Sequence, residues 1–252
     1  MSVTIKSARE IELMRESGRL LAIVHDELGK ALKPGMTTKE IDRLGEEIIR
    51  SFGCVPNFLN YNGYPASICV SVNDEVVHGI PSKKRRIQEG DIVSLDAGLI
   101  YKGYHSDAAR THAVGKVSPE AQKLMDVTKQ SFFEGIKFAK EGCRLYDISA
   151  AIQGYVESHG CSIVREYVGH GIGTEMHESP EIPNYGHPGR GPRLLRGMTI
   201  AVEPMVNAGS AAIRQMPDGW TVRTADGKLA AHYENTLLIT DGEPEILTAP
   251  AI

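Results

Sequence analysis

Two stretches of the chain alternate between apolar positions and small or acidic ones. In DIVSLDAG, residues 91 to 98, Val93 and Leu95 face one way while Ser94 and Asp96 face the other. In MTIAVEP, residues 198 to 204, Ile200 and Val202 oppose Ala201 and Glu203. A period of two belongs to a strand with one buried face. Each stretch therefore predicts a strand that sends apolar side chains into a core and a carboxylate to the opposite side. Lys102-Gly103 lies between two tyrosine-bearing strand segments, which predicts a hairpin with a two-residue turn. That turn sets Asp96 opposite Ala109 and makes Asp107 its diagonal neighbour on the same face, about 7–8 Å away at the backbone. A slip of one residue would part the two carboxylates.

Helices are announced by their ends. Ser7 with Glu10, and Thr37 with Glu40, have capping-box spacing, and Ser118 precedes Pro119 at a first helical position. Gly53 and Gly160 read as helix stops. The chain also repeats itself. KPGMTTKEIDRLGEEIIRSFGC (33 to 54) aligns without gaps on KEGCRLYDISAAIQGYVESHGC (140 to 161), an offset of 107. The same offset lays GDIVSLD (90 to 96) on GMTIAVE (197 to 203), so Asp96 meets Glu203. An offset of 127 lays HSDAARTHAVG (105 to 115) on HYENTLLITDG (232 to 242), so Asp107 meets Glu234. The change of offset falls in the connection around Met216 to Gly227, and HGIP (78 to 81) on HESP (177 to 180) is a weaker third pairing. Two carboxylates falling on two carboxylates, each time in a strand-like run, predict a duplicated α/β (α+β) unit. It would form one domain over residues 1–252, with halves of about 5–115 and 116–248. Two pairs of helices would cover a curved, mostly antiparallel sheet with pseudo-twofold symmetry.

Composition narrows the class further. With 41% hydrophobic and 24% charged residues the chain reads as a globular domain, and a net charge of −4 with mixed signs demands neither nucleic acid nor membrane. The single basic run, Lys83-Lys84-Arg85-Arg86, reads as a solvated turn, with contact to an RNA-rich surface the alternative. Cys54, Cys69, Cys143 and Cys161 form no CxxC pair and read as buried free thiols in a reducing compartment. The opening residues lack the apolar stretch of a signal peptide. The expected location is the cytoplasm.

Symmetry would bring Glu203 and Glu234 to the face that carries Asp96 and Asp107. Four carboxylates on one buried face repel and are costly to desolvate, and cations remove both costs. Carboxylates with one imidazole suit divalent Mn, Fe, Co or Zn, and bridging carboxylates suggest two ions. In GHGIGTEMHESP, residues 169 to 180, His170 and His177 stand seven positions apart, but Gly169, Gly171 and Gly173 argue against a helix there. From the residues alone the two histidines are metal ligands, an acid/base pair or surface groups.

YNGYPASICVSVNDEVVHGIP, DIVSLDAGLIYKGYHSDAART, GHGIGTEMHESP, TIAVEPM and AHYENT occur in this order, and from about residue 4 to 248 the chain resembles the type I methionine aminopeptidase family. The resemblance implies the pita-bread fold in its bacterial short form, a monomer, and removal of N-terminal methionine from peptides and nascent chains, with a small second residue preferred. The ribosome surface would be a partner. It implies two divalent metal ions (Co, Mn, Fe or Zn). Asp107 and Glu234 would bridge both, Asp96 would hold one, and His170 and Glu203 would complete the other. Glu203 would also move protons, while His177 and His78 would contact the substrate around the scissile bond. Tyr61, Tyr64, Cys69, Met176, Trp220 and Phe58 would form the methionine slot. His170 would then be the only nitrogen ligand, and His177 would belong to the substrate. Asn62, Phe58, Met176 and His232 depart from common family residues, which leaves the pocket's shape open. His105 and His232 would support the ligands or simply pack, and His25, His112, His159 and His187 would be structural or surface residues. The rival functions are a prolidase or aminopeptidase P-like peptidase, whose members carry an extra N-terminal domain, and a non-catalytic peptide-binding protein, which would lose ligands.

Overall fold

The structure is a computed structural model and describes residues 3–249, so the ends of the expected 1–252 span lie outside the described residues. Helix α1 spans Ala8–Ala31 and α2 spans Thr38–Ser51, both opened by the expected capping boxes at Ser7 and Thr37. Strands β1 (Val55–Pro56), β2 (Ile68–Val72), β3 (Glu75–Val77), β4 (Ile92–Tyr101) and β5 (Tyr104–Ala113) follow. Helix α3 (Pro119–Ile136) starts at the Ser118 cap, and α4 spans Leu145–Ser158. After these come β6 (Ser162–Ile163), β7 (Gly169–Gly171), β8 (Glu178–Ile182), β9 (Thr199–Val202) and β10 (Met205–Asn207). The last strands are β11 (Ile213–Gln215), β12 (Val222–Thr224), β13 (Ala230–His232), β14 (Glu234–Leu238) and β15 (Glu245–Ile246).

Among the described residues the main sheet has nine strands in the order β1-β4-β5-β14-β9-β7-β8, with β2 also on β4 and β15 on β14. Each of its strand pairs is antiparallel. The expected hairpin register holds: Tyr101 pairs Tyr104 and Asp96 pairs Ala109. Lys102 and Gly103 both take positive φ, 49° and 85°, the turn whose twist suits two-residue hairpins and which glycine adopts without strain.

The helices cover one side of this sheet. Leu21, Val24 and Leu28 of α1 and Ile41 and Ile49 of α2 pack with Val93, Leu95, Ala97 and Leu99 of β4. Leu124 and Phe132 of α3 and Ile148, Ile152 and Val156 of α4 pack with Ile200, Val202 and Leu237. The inward set of each strand is the one its period of two assigned.

The offset of 107 recurs in three dimensions. Helices α2 and α4 begin and end at positions 107 apart, as do β1 and β6. Thr37 bridges Arg86, and Arg144 bridges Arg193. The Arg86 guanidinium donates to the Gly35 carbonyl, and that of Arg193 to Gly142. The first helix of each pair departs from the repeat, with 24 residues in α1 and 18 in α3. One expectation needs correction: Cys54 and Cys69 are buried, but Cys143 and Cys161 are only half-buried, because they flank α4 near the surface. Among the described residues no helix is long and apolar enough to cross a membrane.

Candidate metal centre

Five neighbouring strands each bring one candidate ligand. Asp96 lies on β4, Asp107 on β5, Glu234 on β14, His170 on β7, and Glu203 directly follows β9. Register places them on one face. Asp96 pairs Ala109, and Ala109 pairs Glu234, so the two carboxylates stand in one row across the sheet. Asp107 is two residues from Ala109, hence on the same side. His170 pairs Ala201, which is two residues from Glu203. Two glycines permit that approach: a Cβ at Gly169 would sit 2.3 Å from the Ala201 carbonyl oxygen, and one at Gly171 would sit 2.4 Å from that of Ser179.

Backbone contacts fix the face. Thr236 Oγ1 accepts from the Asp107 N–H at 3.0 Å and donates to the Asp107 carbonyl at 2.9 Å. Arg110 donates to the Glu234 carbonyl and, at 2.8 Å, to that of Ala109. Asn184 Nδ2 donates to the Glu203 carbonyl at 3.0 Å. The Gly171 carbonyl, 2.9 Å from His170 Nδ1, can only accept. The ring proton of neutral His170 therefore sits on Nδ1 and leaves Nε2 as a bare donor atom, 3.7 Å from Glu203 Oε1.

Electrostatics favour a cation here. Burial, reinforced by the neighbouring carboxylates, pushes Asp107 and Glu234 well above the usual carboxylate range. Burial raises Asp96 to about 7 and Glu203 to about 8. Burial also lowers His170 to about 3, so its imidazole is neutral and able to ligate. Asp96 Oδ1 and Glu234 Oε1 are buried without any hydrogen-bond partner, which is costly in a protein interior unless an ion takes their lone pairs. Donor atoms of Asp107, His170 and Glu234 lie within 4.8 Å of one another, as do those of Glu203, His232 and Glu234. The residues present fit divalent metal ions.

These groups form the floor of a cavity of about 250 Å³. Phe58, Tyr61, Tyr64, Cys69, Met176 and Trp220 all line it, as do His78 and His177. Phe58, Tyr64, Cys69 and Met176 make one buried apolar cluster with Trp220 against it, while Tyr61 stands at the rim, 36% exposed. Asp218 accepts from the backbone N–H groups of Trp220 and Thr221 at 2.9 and 2.8 Å and so sets the tryptophan in the β11–β12 connection. That connection lies within the stretch around Met216 to Gly227 where the offset changes. His78 has φ 59° and stacks edge-on against Tyr167 at 5.3 Å, and burial lowers it to about 4. The Tyr61 hydroxyl lies 2.8 Å from His177 Nδ1. Sequence reasoning missed Val77, Tyr167 and Val168, although they line the cavity beside His78 and just before His170. Adjacency to a chemical residue was the one signal that could have found them.

The model of metallopeptidase family M24 matches residues 12–241. The chain belongs to metallopeptidase family M24. This M24 metallopeptidase is 56% identical to a methionine aminopeptidase of Clostridium acetobutylicum over 98% of both chains. It superposes on the crystal structure of a methionine aminopeptidase from Thermotoga maritima with a TM-score of 0.97 and 46% identity, covering 98% of this chain and 100% of that one. The prolidase from Pyrococcus furiosus shares the fold alone, with a TM-score of 0.78 and 22% identity, and 34% of that protein has no counterpart here because the match covers 66% of it. The duplicated pita-bread architecture expected from the sequence is the architecture of this M24 chain.

Proposed function

We propose that this chain is a metal-dependent aminopeptidase that removes N-terminal methionine from peptides and nascent proteins whose second residue is small. The observation that carries this reading is the union of two parts in one cavity: four carboxylates, Asp107 and Glu234 buried and Asp96 and Glu203 half-buried, with an imidazole, and beside them an apolar slot. Asp107 and Glu234 would hold two divalent ions (Mn, Fe, Co or Zn) jointly, with Asp96 on one and His170 and Glu203 on the other. Bound there, the ions supply Lewis acidity and make water a usable nucleophile near neutral pH.

The chain's own residues do the rest. The slot formed by Phe58, Tyr61, Tyr64, Cys69, Met176 and Trp220 takes the methionine side chain. The free α-amine lies at the carboxylate end, which restricts cleavage to the first peptide bond. Glu203, ionised once metal is bound, takes the proton of the attacking water and returns it to the leaving amine, acting as general base and then general acid. In this reading the Tyr61 hydroxyl donates to His177 Nδ1, 2.8 Å away, and the imidazole proton then sits on Nε2. That N–H donates to the carbonyl oxygen as negative charge develops, and His78 contacts the scissile amide.

We also read residues 1–252 as one catalytic domain of two related halves, acting as a monomer in the cytoplasm on chains leaving the ribosome. Metal-loaded protein should hydrolyse Met-Ala-Ser, leave Ala-Pro-Ala uncut and leave N-acetylated Met-Ala-Ser uncut. Equal cleavage of the blocked peptide would refute the role of the free amine. Glu203→Gln should lower kcat by roughly 10²–10⁴, and full activity in that variant with metal bound would remove the proton-transfer role.

A further inference from the structure

His232 is the last residue of β13, two positions before Glu234, and is 1% exposed. Thr111 pins its backbone, because the threonine hydroxyl accepts from the His232 N–H and donates to its carbonyl, both at 2.9 Å. Its side chain is cut off from water, yet neither ring nitrogen has a hydrogen-bond partner. A buried imidazole with both nitrogens unpaired is costly, and such a group calls for a ligand.

Its surroundings indicate which one. Nε2 lies 3.6 Å from Glu203 Oε2 and 3.8 Å from Glu234 Oε2. A hydrogen bond would close to about 2.7–2.9 Å, so neither contact is one. Two donors each about 2.1 Å from a shared ion are about 3.0 Å apart at a right angle and at most about 4.2 Å apart when opposed. Both separations fall inside that range. Glu203 is flanked symmetrically, with His170 Nε2 at 3.7 Å from one oxygen and His232 Nε2 at 3.6 Å from the other. Three donor atoms of Glu203, His232 and Glu234 lie within 4.8 Å of one another.

We infer that His232 is a second nitrogen ligand of the metal centre, donating Nε2 to the ion held between Glu203 and Glu234. The centre then carries two imidazoles, not the single one expected from the sequence. A second neutral nitrogen donor shifts the site from hard, oxygen-preferring ions towards ions that accept imidazole, zinc and iron over manganese. This inference rests on the reading of the site as a metal centre.

The test is nitrogen NMR of the full chain labelled with ¹⁵N-histidine, titrated with Zn(II). His170→Gln and His232→Gln assign the two resonances, with His232→Asn as the alternative should the glutamine variant unfold. The Nε2 signals of both His170 and His232 should move on zinc addition, and His232→Gln should weaken zinc binding by at least about tenfold in a chelator competition. A stationary His232 beside a moving His170, or an unchanged zinc affinity in the variant, overturns the inference and leaves the proposed function intact. If neither resonance moves, the metal-centre reading falls, and this inference with it.

Discussion

At the scale of single residues, the histidines of GHGIGTEMHESP divide by their partners. His170 is fixed through Nδ1 by a carbonyl and presents Nε2 to Glu203. His177 meets a phenol at the rim and lies 4.3 Å, ring to ring, from His170. Losing a donor atom and losing a hydrogen-bond donor have different consequences. His170→Ala should weaken metal binding more than about 100-fold, since loss of merely supporting groups already costs 10–100-fold. His177→Ala should bind metal as before but lower kcat by about 10²–10³, the usual effect of removing a donor to a developing oxyanion. Metal titration by calorimetry beside steady-state kinetics on Met-Ala-Ser separates the two. Interchangeable phenotypes would end the division.

At the scale of elements, close backbone approach makes the site. Strand β7 lies against β9 because Gly169 has no Cβ. Gly169→Ala should push His170 off the common face, lower stability by about 1–3 kcal/mol, as overpacking does, and weaken metal binding. Unchanged metal affinity in that variant would show that the β7–β9 spacing does not position His170. Much of this was legible beforehand. The period of two named the strands carrying Asp96 and Glu203, and Lys102-Gly103 pinned the register that brings Asp107 alongside. The repeat placed α4 from α2 to the residue. What stayed hidden depends on contacts between distant segments. No periodicity announces that Tyr167 packs on His78, that Lys6 pairs with Glu178 at 2.5 Å, or that His232 is left without a partner.

The helix-to-sheet packing of the first half carries its own pH dependence. His112 and His25 sit between α1 and β5, and burial, with Arg110 adding to it, lowers both, His112 to about 4. Below the unfolded value near 6.5 the unfolded chain takes up protons that the folded chain refuses, so this contribution to stability shrinks as pH falls from 6.5 towards 4. His112→Gln should therefore gain stability relative to the parent over that window, by on the order of 3 kcal/mol at most. Chemical denaturation of both proteins at pH 7 and pH 4.5 measures the difference, and a pH-independent difference would show that His112 protonates freely in the fold.

At the scale of the whole molecule, the proposed metal centre would join the two proposed halves, since Asp96 and Asp107 come from one and His170, Glu203 and Glu234 from the other. Without metal, carboxyls raised to about 7 and 8 hold protons that the unfolded chain releases above pH 4. Stability of the metal-free protein should then fall as pH rises from about 4 to 7–8 and level off above. A divalent cation replaces those protons and removes that slope. Saturation at 100 times Kd contributes about 2.7 kcal/mol, or a rise in Tm of roughly 5–10 °C for a chain of this size. The rise should be larger at pH 8 than at pH 6, because metal competes with fewer protons at the higher pH. Differential scanning calorimetry with Mn(II) and with a chelator at both pH values decides it. An equal rise at the two pH values would mean that the four carboxylates are ionised in the metal-free fold, and that burial does not govern their charge.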